Sequence, residues 1–133
     1  MYRVLEQPAI SERIRSEFFN ANLDAQHLRY NELKKCPYFV AVIRECLRMQ
    51  PGVSHRSARI SRTEDLIYKS LDGTVVIPSG TPIGMSPMIN HWNERLFPNP
   101  DSFNPERWLE PNDERERAFL SFGKGTRSCI GQE

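Results

Sequence analysis

The chain has 133 residues, of which 38% are apolar, and 18 basic against 17 acidic side chains leave a net charge of +1. This length allows one domain or a part of a larger one, and the balanced charge gives no reason to expect a nucleic-acid partner. Uninterrupted apolar runs stay well short of the ~20 residues that cross a bilayer. The three cysteines are widely spaced and odd in number, which favours a reducing, intracellular compartment over a disulfide framework.

Two helices are predicted in the first half of the chain. The first extends from Pro8, a residue suited to the first helical position, to about Phe19, and its apolar residues recur every four positions, at Ile10, Ile14 and Phe18. Residues 20–35 are polar and irregular, with room for one helical turn near 28–33. The second helix extends from Pro37 to about Gln50, and its apolar stripe contains Phe39, Val42, Ile43, Cys46 and Met49. Each predicted helix therefore has one apolar face to bury.

The pattern changes from helical to extended near Ala58. Residues 66–68 and 74–77 flank Asp72-Gly73, which is a strong signal for a β-hairpin, and residues 81–86 are predicted as a third strand. Seven of the ten prolines lie between positions 78 and 111, and this density excludes a long helix there. Residues 91–117 are therefore predicted to be largely coil, packed by aromatic side chains.

The most informative stretch is residues 122–131, which read Phe-Gly-Lys-Gly-Thr-Arg-Ser-Cys-Ile-Gly. One interpretation is a glycine-rich surface turn that holds one buried cysteine, since cysteine is most often a small core residue. A phosphate-binding loop is excluded because no Gly-Lys-Ser/Thr triplet opens a helix here. The other interpretation is ligation of a haem iron by Cys129, for which each neighbouring residue type has a chemical reason.

Ligation of a haem iron through cysteine needs the thiolate form, and a cysteine at the start of a helix is acidified by the helix dipole and nearby backbone N–H groups. Gly125 lets backbone amides turn toward the sulfur, and Gly131 lets the chain lie flat under a porphyrin. Phe122 would shield the sulfur from water, and Arg127 would pair with a haem propionate. The loop resembles the haem-binding signature Phe-x-x-Gly-x-Arg-x-Cys-x-Gly of the cytochrome P450 family, whose fixed positions are all filled, by Phe122, Gly125, Arg127, Cys129 and Gly131.

Two further motifs carry the same resemblance. Glu45 and Arg48 are neighbours on the second helix, an arrangement that is common and is worth only ~0.2–0.5 kcal/mol when exposed. They resemble the Glu-x-x-Arg pair of the family, and residues 103–108 resemble its second motif, which adds Arg107 to form a triad. The resemblance implies that this triad is structural and holds the haem-side core. No catalytic residue is assigned, because the oxygen-activating residues of the family are expected upstream of Met1.

Several other residues have two open interpretations. Arg59, with Arg56 as the alternate, matches the basic residue that binds a haem propionate in the family, or it belongs to a solvated basic turn. His91 matches a recurrent family histidine and is predicted to be packed and hydrogen-bonded. Lys124 lies on a surface where an electron donor docks, or it is a plain solvated lysine. Two thiols outside any glycine-framed loop are predicted to be buried, Cys36 and Cys46.

The resemblance implies a mixed α/β fold that is mainly α, with a small antiparallel sheet and a haem-binding cysteine loop. It implies a parent monooxygenase that binds haem and iron and oxidises a small organic substrate with O₂. Electrons would come from an NADPH-dependent reductase. Two alternatives remain open: a haem-thiolate enzyme that works without O₂, and a truncated product that is not an enzyme.

The resemblance also bears on how much of a protein is present. It covers nearly all 133 residues but only about the last quarter to third of a typical member, so residues 1–133 are expected to be a partial domain, the C-terminal haem-binding portion. The parent is expected to be anchored to the endoplasmic reticulum membrane through a missing N-terminal segment. The chain alone is expected to be inactive.

Overall fold

A computed structural model describes residues 2–23 and 26–132 of the chain. The helices, in chain order, are α1 (Tyr2–Leu5), α2 (Pro8–Asn20), α3 (Tyr30–Leu33), α4 (Pro37–Met49), α5 (Pro87–His91) and α6 (Asp113–Ala118). The strands are β1 (Ser57–Ile60), β2 (Leu66–Ser70), β3 (Gly73–Ile77) and β4 (Pro82–Met85). Two short 3-10 helices lie at Pro105–Trp108 and Gly125–Arg127. No helix in the described part of the chain has the length and apolar character needed to cross a membrane.

The two predicted helices of the first half are confirmed as α2 and α4, and each begins with a proline at its first turn. The first turn of α4 has free N–H groups that α4 itself cannot satisfy. Glu17 of α2 supplies the acceptors: its Oε1 accepts from the Tyr38 N–H and its Oε2 from the Phe39 N–H, both at 2.8 Å. A carboxylate at this end of a helix also interacts favourably with the helix dipole. One side chain of α2 therefore caps the first turn of α4.

The strands form two separate antiparallel ribbons. β2 and β3 are the predicted hairpin, closed by residues 71 and 72, and Gly73 follows with φ +139°, a value that side-chain-bearing residues rarely adopt. The predicted third strand is present as β4, but it pairs with β1 in the register Ser57↔Met85 to Ile60↔Pro82. The β2–β3 hairpin therefore lies in the sequence between β1 and β4, which pair with each other. The sequence pattern did not reveal the β1–β4 pairing because the two strands are distant along the chain.

Residues 91–117 contain more helix than predicted. The 3-10 helix at Pro105–Trp108 and helix α6 both fall in this segment, so the prediction of coil is wrong at these places. The density of prolines ends at Pro111, and Asn112 then caps α6 by accepting a hydrogen bond from the Arg115 N–H at 2.9 Å. Acidic residues in the first turn of α6 favour the same start, at Asp113, Glu114 and Glu116.

Helix α4 lies between two apolar clusters. One contains Ile10, Tyr38, Val42 and Phe103, and the other contains Ala41, Phe97, Trp108 and Ala118. Cys36 is buried as predicted, whereas Cys46 is only partly buried, so the prediction for Cys46 is wrong. Cys46 lies at the border of the first cluster, where part of its surface stays open to solvent. Because α4 contacts both clusters, its polar side chains are enclosed along with its apolar ones.

Candidate functional site

Three charged side chains are enclosed beside α4, and we call Glu45, Arg48 and Arg107 the charged cluster. Glu45 and Arg48 are fully buried, and Arg107 is 9% exposed. Arg48 donates two hydrogen bonds to the Glu45 carboxylate, from Nε to Oε2 and from Nη2 to Oε1, each 2.9 Å long. Arg107, from the 3-10 helix, donates its Nε–H to Oε1 at 3.1 Å. The structure thus brings the three residues of the predicted triad together around one carboxylate.

Two more donors complete the environment of Glu45. The Asn104 N–H donates to Oε1 at 3.0 Å, and the Trp108 indole Nε1–H donates to Oε2 at 2.9 Å. Burial by itself raises the pKa of Glu45, but the hydrogen bonds from Arg48 and Asn104 and the charges of Arg48 and Arg107 outweigh it. The pKa of Glu45 therefore lies below its ordinary value. Sequence reasoning did not assign a role to Trp108, whose indole N–H makes a hydrogen bond that a Phe at this position could not make.

The arginines of the charged cluster also hold the irregular segment before the 3-10 helix. Arg48 donates to the carbonyl oxygens of His91 at 2.8 Å and Pro100 at 2.7 Å. Arg107 donates to the carbonyl oxygen of Pro98 at 3.1 Å. A segment without regular structure must satisfy its backbone carbonyls elsewhere. Here two guanidinium groups satisfy several of them, so this segment depends on the charged cluster for its shape.

His91 is fully buried, and both of its ring nitrogens have partners, as its predicted packed role requires. Its Nδ1 lies 3.0 Å from the Arg48 carbonyl oxygen, and its Nε2 accepts the Leu120 N–H at 2.9 Å. The ring stacks on Phe119, with centroids 5.5 Å apart and planes inclined by 20°. Burial lowers the pKa of His91, although the hydrogen bond to Arg48 acts in the other direction. The residue is therefore held in its neutral form.

The candidate ligand lies in residues 122–131, which we call the cysteine loop. Its backbone turns through Gly123 and Gly125, whose φ angles of +68° and +78° favour glycine. The loop closes on itself where the Cys129 N–H donates to the Phe122 carbonyl oxygen at 2.7 Å. Sequence reasoning had assigned a conformational role to Gly125 and missed Gly123, whose only signal was being a second glycine in the loop.

The end of the cysteine loop that contains Cys129 is open to solvent. Cys129 is exposed and the following Ile130 is 99% exposed. A Cβ atom added to Gly131 would lie 3.8 Å from the Cys129 Sγ, so the glycine at this position keeps free the space beside the sulfur. The interpretation of this stretch as a turn around a buried cysteine does not fit an exposed thiol. An accessible sulfur framed by glycine does fit a ligand for a large planar group.

The basic residues predicted near the site lie on different elements. Arg127 ends the 3-10 helix of the cysteine loop, and Arg59 lies in β1, where its Nη1 donates to the Ala58 carbonyl oxygen at 3.1 Å. The side chain of Lys124 bonds to backbone carbonyls at the end of α6, at 2.6 Å from Glu116 and 3.1 Å from Arg117. Lys124 therefore caps the C-terminal end of α6, a contact that neither of its two interpretations had included.

The family model for cytochrome P450 matches residues 1–133. Fusicoccadiene C-8 hydroxylase of Phomopsis amygdali is 39% identical over 98% of this chain and 25% of its own length. N-acetyltryptophan 6-hydroxylase of Emericella nidulans is also 39% identical, over 98% of this chain and 26% of its own length. The chain thus spans about a quarter of the length of these relatives.

A solved structure gives the same answer for the fold. Retinoic acid-bound cyanobacterial CYP120A1 superimposes with a TM-score of 0.78 at 30% identity, and the match covers 98% of this chain and 29% of that one. The mixed α/β and mainly helical architecture of residues 2–23 and 26–132 is accordingly that of the corresponding part of this fold. With the charged cluster and the cysteine loop in place, the matches over nearly the whole chain show that it belongs to the cytochrome P450 family.

Proposed function

We propose that Cys129 is the axial thiolate ligand of a haem iron in a monooxygenase that oxidises a small organic molecule. The observation that carries the proposal is the exposed sulfur in a loop whose backbone is closed by the Cys129 N–H bond to Phe122. Of the three thiols in the chain, Cys36 is buried and Cys46 is partly covered, which leaves Cys129 as the accessible one. A haem bound here would supply activation of O₂, which a thiolate ligand promotes more strongly than a neutral histidine does.

The other residues of the cysteine loop would hold and insulate this group. Phe122 is partly buried next to the point where the loop closes, and we propose that its ring keeps water from the sulfur once the haem is bound. Gly125 and Gly131 leave the loop free of side chains at two positions. The exposed side chains of Arg127 and Arg59 are proposed to pair with the haem propionates, because a guanidinium forms strong paired hydrogen bonds with a carboxylate.

The charged cluster would act on the haem site only through the fold. Its donors are directed at one buried carboxylate and at backbone carbonyls, so none is free to take part in the chemistry. We propose that Glu45, Arg48 and Arg107 lock the packing of α4 against the segment that leads to the cysteine loop. In some proteins buried charge networks specify one packing arrangement, and their presence is weak evidence for added stability.

We also propose that residues 1–133 are the C-terminal haem-binding portion of a longer domain, because the chain spans about a quarter of its relatives. The complete protein would take electrons from an NADPH-dependent reductase. It would be intracellular and held at the endoplasmic reticulum membrane by an N-terminal anchor. Its substrate would be a small organic molecule, in line with the names of the two hydroxylases to which the chain is similar.

The test of Cys129 uses the complete protein with this segment in place. Cys129→Ser should abolish the red-shifted Soret band of the ferrous carbon-monoxide complex, because a serine hydroxyl does not supply a thiolate. Cys36→Ser and Cys46→Ser are matched controls, since each also removes one thiol and both should keep the band. A Cys129→Ser protein that retained the red-shifted band would show that the iron ligand is another residue.

A further inference from the structure

The C-terminal end of α4 is joined to the start of the cysteine loop at two adjacent points. A helix leaves its last carbonyl oxygens without partners inside the helix. In α4, Leu47 and Arg48 contribute two of these oxygens. The Leu47 oxygen accepts the hydroxyl of Ser121 at 3.0 Å, and the Arg48 oxygen faces Nδ1 of His91 at 3.0 Å. Both carbonyls are thus satisfied from outside the helix, and Ser121 immediately precedes the cysteine loop.

His91 connects the Arg48 carbonyl oxygen to Leu120, the residue before Ser121. The Leu120 N–H can only donate, so the Nε2 that it contacts at 2.9 Å must carry the lone pair. The proton of the neutral ring is then on Nδ1 and is donated to the Arg48 carbonyl oxygen. Arg48 in turn donates Nη1–H to the His91 carbonyl oxygen at 2.8 Å. Leu120 and Ser121 are therefore connected, through one imidazole and one hydroxyl, to consecutive residues of α4.

The backbone carries this connection on to the candidate ligand. The Leu120 carbonyl oxygen accepts the Gly123 N–H at 3.0 Å, and the Phe122 carbonyl oxygen accepts the Cys129 N–H at 2.7 Å. His91 is thus linked to Arg48 of the charged cluster on one side and to the turn that fixes the Cys129 backbone on the other. The ring is completely enclosed, so both hydrogen bonds are shielded from bulk water, where a partner left unsatisfied is costly.

We infer that His91 is a positioning residue that sets the placement of the Cys129 thiolate by bridging the charged cluster and the cysteine loop. The inference rests on the proposed ligation of haem iron by Cys129. It assigns different tasks to the two ring nitrogens: Nδ1 anchors the ring to α4, and Nε2 holds the backbone of Leu120. The contact between Nε2 and Leu120 is the one that leads to the Cys129 backbone. Loss of the acceptor at Nε2 should therefore affect ligation of the iron more than loss of the donor at Nδ1.

Two substitutions separate the nitrogens in the complete, haem-loaded protein. The amide of Gln reaches the place of Nε2, so His91→Gln keeps an acceptor for the Leu120 N–H. The amide of Asn occupies the place of Nδ1, so His91→Asn keeps only the donor to Arg48. The measurement is the ratio of the red-shifted to the normal Soret band in the ferrous carbon-monoxide complex, which reports thiolate ligation separately from activity. We expect His91→Gln to stay close to the parent and His91→Asn to lower this ratio by about fivefold or more, the effect of one lost buried hydrogen bond.

Equal ratios in the two variants, whether both normal or both low, would overturn the inference, because only His91→Gln keeps the acceptor for the Leu120 N–H. His91→Leu, which has nearly the volume of Gln but no acceptor, is the packing control, and a ratio in this variant as high as in His91→Gln would assign the effect to volume instead of the hydrogen bond. Cys129→Ser is measured in parallel. If that variant keeps the red-shifted band, the proposed ligand is wrong, whereas loss of its band with equal His91 variants rejects the positioning role alone.

Discussion

The charged cluster and the cysteine loop are both marked by short sequence motifs, but the burial of their side chains is opposite. In the charged cluster, Glu45 is fully buried and accepts hydrogen bonds from donors on two arginines, one indole and one backbone amide. In the cysteine loop, Cys129 is exposed and Ile130 is 99% exposed. The cluster is satisfied by residues of this chain, whereas the outer surface of the loop has little of this chain against it.

The difference follows from what each region must do. A buried carboxylate and two guanidinium groups are costly unless every charge has a partner, so the cluster must be complete as soon as the region folds. A thiol that is to ligate a metal must instead remain accessible until the metal group arrives. One part of the chain is therefore a finished scaffold, and the other is the surface at which we propose that a cofactor binds. The hydrogen bonds of His91 and Ser121 connect the two.

The largest expected effect concerns the cysteine loop. The 133-residue chain, refolded with haemin and supplied with reductase and NADPH, should give no regioselective oxidation of substrate. Oxygen activation requires a site closed to water, and in this chain Cys129 and Ile130 are open to solvent. The assay is product formation over a broad substrate panel, with haemin alone as control. Selective product above that control would mean that this chain builds a closed site without further residues.

The next largest expected effect concerns the charged cluster. Arg107→Ala in the complete protein should lower the free energy of unfolding by ~3–5 kcal/mol, because it leaves the buried Glu45 with one charge fewer to balance it. Haem incorporation should fall as well, although no candidate ligand is touched. Denaturant unfolding and the haem content of purified protein measure the two effects.

A matched control for this prediction is Arg95→Ala. The side chain of Arg95 is 80% exposed and lies 3.9 Å from Glu114, so removing it should change stability by less than ~1 kcal/mol. If Arg107→Ala were as stable and as rich in haem as Arg95→Ala, the charged cluster would not be the scaffold of the region.

A smaller effect is expected from Trp108→Phe. Phe fills most of the space of the indole but cannot donate to Glu45 Oε2, where the hydrogen bond is now 2.9 Å long. The variant should lose ~1–3 kcal/mol of stability, the usual range for a buried polar group that loses one partner. Trp92→Phe is the control, since Trp92 is 38% exposed. A melting temperature equal to that of the control would show that the other donors satisfy Glu45 without the indole.

The smallest effect is a dependence on pH that His91 imposes. Because burial lowers its folded pKa below the ordinary 6.5, the unfolded chain takes up a proton first as the pH falls. The contribution of His91 to stability is therefore complete above pH 6.5 and declines below it, by at most about 1.4 kcal/mol per pH unit. Glu45, whose pKa is lowered, adds a further loss only below its ordinary 4.5.

The measurement is denaturant unfolding at a series of pH values between these two limits. His91→Gln removes the titrating group but keeps the acceptor for Leu120, so its stability should vary less with pH than that of the parent. An identical pH dependence in parent and variant would assign the effect to other groups.

Local sequence determined the elements whose signals lie within one stretch of chain. The prolines at positions 8 and 37, with the spacing of their apolar residues, were sufficient to predict α2 and α4. Asp72-Gly73 was sufficient for the β2–β3 hairpin. The residues of the cysteine loop and the charged cluster were also identified from sequence motifs and their resemblance to the family, because these motifs are short and distinctive.

Tertiary structure decided the rest, and in each case the missing information was a contact between distant residues. Trp108 and Glu45 are 63 positions apart, and His91 and Arg48 are 43 apart, so no local pattern marks either pair. The pairing of β1 with β4 depends likewise on where the chain returns. Periodicity and turn chemistry report the backbone preference of a few residues, whereas the partner of a buried donor is set by which segments pack together.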